Sequence, residues 1–563
     1  MQFDPDELRP YAHIHRSMQW CLDKLISVQS TEAHSFTDPV NTILELAIAE
    51  EQVIRRVFAR NDRSHRNGSV LHHAEGLLNV FDQVPDQVKR AFPRLSSDQE
   101  PDVPVVIQPA TGLVHSFPRK HLFALPDDMK RAKGSPTIVP DMAAFLQNFD
   151  IFTNRAFINM RHWDNIAVAG GAVLACMQPT SFDASPWTPL QANMYFENFY
   201  PDSDVDLFIY GLNAEEAEAR MVEVYQDITS ALLQPAICVR KAGNITIRAK
   251  GVRPIQIILR LYHGISEILC GFDIDAACCL YDGITIYYFS LIEEILTRRR
   301  HSGTNVWANI RCLMACMRQA NTIDLSRRSP SYEVRNQKYG KRGFEVYIPS
   351  LQRERIDVAF VYNQWIRYFP PGLVRLFIYE YLGVDPFYYV NLHYPGKRIR
   401  RARVLFGRVM DFTPVENSSY DRVWARLPGV DFSADEIVRH IDNMNVLMNS
   451  PYKQSKYQRR IHRHFISYGT MQQCINGINC INCPPPVTDE EKNIVQEEST
   501  RYIRGRISFI EDNPGRQFVG SFSPITEGDW EVNAYRQFGP VEPPSSLARH
   551  FTNWGTLRRL FNP

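Results

Sequence analysis

Apolar and polar positions change rhythm several times along this chain. After Asp38-Pro39, the run VNTILELAIAEEQVIRRVFAR places Ile43, Leu44, Leu46, Ala47, Val53, Ile54 and Val57 at helical spacing, with Asp38 set to cap and Pro39 in the first turn. Pro/Asp-rich stretches at 96–109 and 125–140 break that pattern in the manner of linkers or long loops. The first 141 residues therefore predict a helical N-terminal domain. From Met142 the texture differs. A helix is expected over 142–161, followed by the apolar run NIAVAGGAVLACM and a Pro/Ser/aromatic insertion over 179–200. In SDVDLFIYG, Val205, Leu207 and Ile209 then alternate with Asp204, Asp206 and Phe208, a short strand with carboxylates on one face. A helix over 213–233 follows, then strand-like AICVRK, NITIRAK and RPIQIILRLY, a helical GISEILCGF, the segment DIDAACCLYDG, and a strand ITIYYF. This alternation predicts an α+β core with a mixed sheet and flanking helices over 142–297. Residues 298–484 read as helix-rich with basic patches, and 485–563 as an irregular C-terminal segment rich in turn signals.

Composition narrows the function classes. With 63 Lys+Arg against 62 Asp+Glu over 563 residues, the chain is neither a polycation nor an acidic tail, so nucleic-acid contact has to come from local basic patches. Hydrophobic residues at 44% allow a sizeable buried core. The 11 cysteines are scattered, and Cys278-Cys279 sit together in an apolar run, which argues for a reducing compartment and against a disulfide framework. The N-terminal MQFDPDELRPYAHIH has no secretory pattern, and no apolar stretch approaches the ~18 residues that span a bilayer. The expectation is a soluble intracellular protein, cytoplasmic or nuclear, without a membrane partner.

Two features point to chemistry together. Gly170-Gly171 follow an apolar strand, where glycines let backbone N–H groups approach phosphates. Ser203-Asp204-Val205-Asp206 opens another strand, and carboxylates at i and i+2 there can share divalent cations. Each feature alone is common; a tight turn and a solvated strand edge are the bland readings. No GxxxxGK[ST], GxSxG, HExxH or kinase signature is present.

The stretch AVAGGAVLACM … SDVDLFIYG resembles the hallmark of the DNA polymerase beta-like nucleotidyltransferase superfamily, over about 165–289. RPIQIILRLY and LCGFDIDAACCLYDG are further similar to the segments that follow it in tRNA nucleotidyltransferases and poly(A) polymerases. The resemblance implies a nucleotidyltransferase-like fold, Mg²⁺ at a two-metal site, and transfer of a nucleotidyl group from an NTP to a hydroxyl acceptor, RNA among the candidates. It implies that Gly170, Gly171 and Ser203 hold the triphosphate and that Asp204 and Asp206 hold the metal. Two departures stand out: the long insertion between the glycines and Asp204, and Gln256 where a third carboxylate is expected. An amide is a poor base and a weak metal ligand. Asp275 or Asp273 in GFDID is the candidate substitute, with Asp275 taken as the third catalytic residue. The alternative is an inactive protein of that fold that binds nucleotide, RNA or another protein.

Secondary signals remain. His462, Cys474, Cys480 and Cys483 could surround Zn²⁺, Cys480 and Cys483 having zinc-knuckle spacing; buried thiols and surface histidines are the bland reading. The basic runs 298–301, 397–408 and 453–463, the last flanked by Tyr452, Tyr457 and Phe465, could contact nucleic acid or simply be solvated helix faces.

Overall fold

A computed structural model describes residues 11–30, 37–60, 74–92, 101–108, 113–179, 188–201, 203–241, 244–283, 305–328, 332–358, 361, 372–382, 432–439, 467–476, 489, 530–531 and 534–535. The fold is α+β, built on a large mixed sheet. Its strands are β1 (Leu78–Asn79), β5 (Ile166–Ala169), β6 (Val205–Tyr210), β7 (Ile237–Lys241), β8 (Asn244–Arg248), β9 (Ile255–Tyr262), β10 (Cys279–Tyr281), β11 (Val306–Ala308) and β14 (Ser467–Gly469). They lie in the order β1-β11-β10-β5-β6-β9-β8-β7-β14, with β6 and β9 parallel and the other pairs antiparallel. A small sheet joins β4 (His121–Leu122), β12 (Ala320–Thr322) and β13 (Glu345–Tyr347), and β2 (Val103–Gln108) pairs antiparallel with β3 (Leu113–Phe117).

The helices are α1 (Tyr11–Ser30), α2 (Thr37–Arg60), α3 (Met142–Phe152), α4 (Gly171–Met177), α5 (Pro189–Phe199), α6 (Ala214–Ala231), α7 (Ile265–Cys270), α8 (Ile310–Arg318), α9 (Tyr332–Gly340), α10 (Leu373–Leu382) and α11 (Met471–Asn476). Their starts follow capping chemistry. Asn213 accepts from the N–H groups of Glu215 and Glu216, and Glu216 accepts the N–H of Asn213, which closes a capping box on α6. Thr188 and Gln191 do the same for α5, where Pro189 costs no hydrogen bond. The apolar face of α6, Ala217, Met221, Val224 and Ile228, then buries into the main core. Val205, Leu207 and Ile209 enter the same core from β6, each contributing about 1.5–3 kcal/mol on burial, while Asp206 and Phe208 take the opposite face. That division fixes the register of β6, because a slip of one residue would carry the carboxylates into the aliphatic main core in place of Val205, Leu207 and Ile209.

Several expectations need amending. The N-terminal region holds α1 and α2 as helices, but Val103–Gln108 and Leu113–Phe117 pair as antiparallel strands: the prolines read as linker, whereas Val103 and Val105 are buried. The helix expected over 142–161 ends at Phe152. The sheet also draws β1, β11 and β14 from outside 142–297. The strand expected at ITIYYF and the basic runs 298–301, 397–408 and 453–463 lie outside the described residues. Among the described residues no helix is long and apolar enough to cross a membrane.

Candidate functional site

The chain turns sharply between β5 and α4. Gly170 has φ +84°, a conformation L side chains rarely adopt, and a Cβ there would lie 2.6 Å from a Phe272 ring carbon. Its N–H donates to the Cys279 carbonyl at 2.9 Å, tying the turn to β10. A Cβ on Gly171 would lie 3.0 Å from Arg342 Nη1, 3.1 Å from the Tyr339 hydroxyl and 3.8 Å from Ser203 Oγ. Both glycines therefore make room, one for its own backbone and the other for the residues opposite. Ser203 is buried, so the turn, Ser203 and the end of α9 share one small space.

Asp206 stands between Ala169 on β5 and Gln256 on β9. Gln256 Nε2 donates to Asp204 Oδ2, and Gln256 Oε1 accepts from Asn244 Nδ2 at 2.9 Å. Thr246, the partner of Gln256 on β8, donates to Asn244 Oδ1 at 3.4 Å. Immediately beside the two aspartates the sheet face thus carries amides and a hydroxyl where a third carboxylate was expected. Arg248, buried at the end of β8, sits on that flank; burial lowers its guanidinium to about 10, and Asp204 opposes the shift.

The opposite wall is α9. Arg335, Lys338, Tyr339 and Arg342 recur at i, i+3, i+4 and i+7, which sets them along one helical side, Arg342 lying just past the helix end. The Arg342 guanidinium is buried and packs against the rings of Tyr200 (4.8 Å) and Tyr339 (5.1 Å). Arg335 Nη1 is 2.8 Å from Asp273 Oδ1. Burial and the neighbouring Asp204 raise the Asp206 carboxyl well above the usual range, against the pull of Lys338 and Arg335. Burial and Arg342 lower the Lys338 ammonium to about 8, while Asp204 and Asp206 act to raise it. Two carboxylates crowded together face cations that are themselves crowded, an arrangement suited to a polyanion with a counter-cation.

Ion pairs beneath α9 set its position. Glu333, fully buried in its first turn, meets Arg328 Nη2 at 2.6 Å and Arg375 Nη1 of α10 at 3.7 Å, and accepts the Gly372 N–H at 2.8 Å. On the other flank, Arg253 donates to the carbonyls of Phe152, Phe196, Tyr200 and Ser203 and so fixes the segment entering Asp204.

The structure thus brings together Gly170, Gly171, Ser203, Asp204, Asp206 and Gln256. Asp275 does not take the third-carboxylate role. Its Oδ1 is 2.5 Å from Arg311 Nη2 and 3.5 Å from Arg327 Nη1, and its Oδ2 accepts the Thr322 N–H at 2.8 Å, which commits it to a buried structural network. Asp273 is buried and paired with Arg335 at 2.8 Å. Arg248, Arg335, Lys338 and Arg342 escaped sequence reasoning; the spacing of the last three in YEVRNQKYGKR was the available signal. Of the zinc candidates, Cys474 is buried on α11, its thiol donating to the Cys238 carbonyl at 3.5 Å and pushed up to about 11 by burial. His462, Cys480 and Cys483 lie outside the described residues, and among the described residues no group of three or more His, Cys, Asp or Glu is placed to hold a metal ion.

Comparison with known proteins adds a family and a relative. No solved structure matches the chain. An uncharacterized protein of Acanthamoeba polyphaga mimivirus is 23% identical over 428 residues, covering 68% of this chain and 84% of that protein. Residues 143–297 match the Gabija anti-defense 2 (Gad2) family. That match corrects the resemblance drawn from AVAGGAVLACM and SDVDLFIYG: the segment that suggested the DNA polymerase beta-like superfamily is similar to an anti-defense family instead.

Proposed function

We propose that the cleft between the sheet end and α9 binds a nucleoside triphosphate with a divalent cation and transfers its nucleotidyl group to an acceptor. The observation that carries this reading is the line of Arg335, Lys338 and Arg342 facing Asp204 and Asp206 across Gly170-Gly171. A triphosphate needs cations along its length, close backbone approach at one point, and carboxylates where a metal joins it.

The donor set fits one divalent cation. Asp204 and Asp206 offer hard oxygens, and their mutual repulsion with burial of Asp206 favours a counter-cation such as Mg²⁺. Gln256 adds no charge, and its amide is already engaged with Asp204 and Asn244. A bound divalent ion would neutralise phosphate charge and stabilise the leaving pyrophosphate. The chain's own residues do the rest. Lys338 and Arg342 grip the β- and γ-phosphates from α9, Gly171 leaves the room in which Arg342 and Tyr339 stand against the turn, and Ser203 supplies a hydroxyl donor beside it. The Arg253 clamp keeps Ser203 and Asp204 in place. The anti-defense family match over 143–297 supports a setting in which this chemistry acts against a defence system of a host.

Gln256 favours a second reading, in which the site grips nucleotide without turnover. One experiment separates the two. The full chain is melted with each NTP and Mg²⁺ or Mn²⁺, and incorporation of α-labelled NTP is followed beside it. Stabilisation with labelled product supports transfer, stabilisation alone supports the binding reading, and the absence of both removes nucleotide from the account.

A further inference from the structure

We propose that the acceptor at this site is a phosphate monoester and not a hydroxyl; the inference rests on the nucleotidyl-transfer reading above. A hydroxyl must give up its proton as it attacks, so a base has to stand on the acceptor side. Among the described residues, Asp204 and Asp206 are taken up by the cation in this reading, and next to Asp206 across the sheet stand Gln256 and then Thr246, neither a base. The Gln256 amide is spent between Asp204 and Asn244. Asp273 is buried against Arg335 at 2.8 Å, and Asp275 is locked by Arg311 and Arg327. Lys338 belongs to the other wall, with Arg342, where the triphosphate lies.

What the acceptor flank does offer is positive charge. Arg248 shares a β8 face with Thr246 and Asn244, is buried, and lies close enough to Asp204 to feel its charge. A guanidinium stays charged at any neutral pH and pairs well with phosphate oxygens. A phosphate monoester arrives with its attacking oxygen already ionised, its second pKa being about 6. It needs no base, and its charge meets Arg248. In the step, one oxygen of the acceptor phosphate bonds to the α-phosphorus of the NTP. The bond from that phosphorus to the bridging oxygen of the β-phosphate breaks, and pyrophosphate leaves with the electron pair toward Lys338 and Arg342. No proton changes hands, and the product carries a new phosphoanhydride.

The test uses the full chain, each α-labelled NTP with Mg²⁺ or Mn²⁺, and matched acceptors: adenosine 5′-monophosphate beside adenosine, and a short oligoribonucleotide ending in a 3′-phosphate beside its 3′-hydroxyl counterpart. Transfer to the phosphate-bearing member should be at least about tenfold faster, as one charge-assisted contact allows, and the pair that responds tells a free nucleotide from a strand end. Arg248→Gln should raise the acceptor KM about tenfold while Arg248→Lys keeps most of the preference. Gln256→Glu should shift transfer toward hydroxyls. Equal or faster transfer by the wild type to hydroxyls overturns the inference and leaves nucleotidyl transfer standing. NTP binding with no transfer to any acceptor overturns it in favour of the binding reading, and absence of NTP binding removes both. The wild-type comparison decides even if an Arg248 variant fails to fold.

Discussion

Replacing Asp275 by Asn separates a structural carboxylate from a catalytic one. Asp275, Arg311 and Arg327 are each at most 2% exposed in their side chains, and the carboxylate is 2.5 Å from one guanidinium and 3.5 Å from the other. Asp324, 2.8 Å from Arg311 Nη1, and Glu51, 3.6 Å from Arg311 and 3.3 Å from Arg327, belong to the same group, as does the buried Arg55, which feels the charges of Glu51, Asp324 and Arg327. Asn keeps the shape and can still accept a hydrogen bond, but it leaves three buried guanidinium charges, those of Arg55, Arg311 and Arg327, facing two carboxylates in place of three. Removing one partner of a buried ion pair costs about 3–5 kcal/mol, because the remaining charge cannot be rehydrated. Asp275→Asn should therefore lower the urea midpoint of the full chain, followed by tryptophan fluorescence, by an amount equivalent to that range. Asp204→Asn should stay within about 1 kcal/mol of wild type, since it relieves the repulsion on Asp206 as it weakens the bond from Gln256. An Asp275→Asn protein as stable as wild type, yet unable to support any transfer that the wild type performs, would return Asp275 to the reacting centre and refute this reasoning.

Three further outcomes are expected. Gly170→Ala should cost more stability than Gly171→Ala, because it forces a Cβ at φ +84° within 2.6 Å of Phe272, whereas Gly171→Ala meets only side-chain ends at 3.0 Å or more and should chiefly weaken NTP binding; melting curves with and without NTP read both. Lys338→Gln and Arg342→Gln should each weaken NTP affinity about tenfold in a fluorescent-nucleotide titration, and unchanged affinity would remove α9 from the site. Asp324 is held at about 2, burial working to raise it but Arg311 and Arg327 overcoming that effect. Its folded value lies below its unfolded one, so its contribution is complete above about pH 4 and fades as the pH falls toward 2. Asp324→Asn should flatten the stability profile in that window, measured by thermal melts across pH.

The sequence declared the sheet side of the site and hid the helix side. Alternation in VDLFIY exposed β6 and the face of Asp206, and the apolar run ending in Gly170-Gly171 exposed the turn, because both signals are local and periodic. The cations of α9 come more than a hundred residues later, from a segment whose charges look like an ordinary solvated face until tertiary packing turns them inward. Asp275 was misassigned for the complementary reason: GFDID leads into β10, which lies beside β5 in the sheet, but the arginines that hold Asp275 come from α8 and the turn after β12. The β2–β3 pair was missed because Pro104 within VPVVIQ weakens a strand pattern.

The order of strands in the large sheet has a consequence for how the protein comes into being. A ribosome that has released residues 143–297 has supplied both aspartates and the glycine turn, but β10 still lacks β11, and neither Lys338 nor Arg342 exists. Until β11 arrives, that edge of the sheet is an open template for foreign strands, and the crowded carboxylates have no counter-charge from α9. The cleft is thus completed late in synthesis, and a fragment cut to 143–297 should be prone to aggregate and unable to grip a nucleotide, however faithfully it keeps the two aspartates.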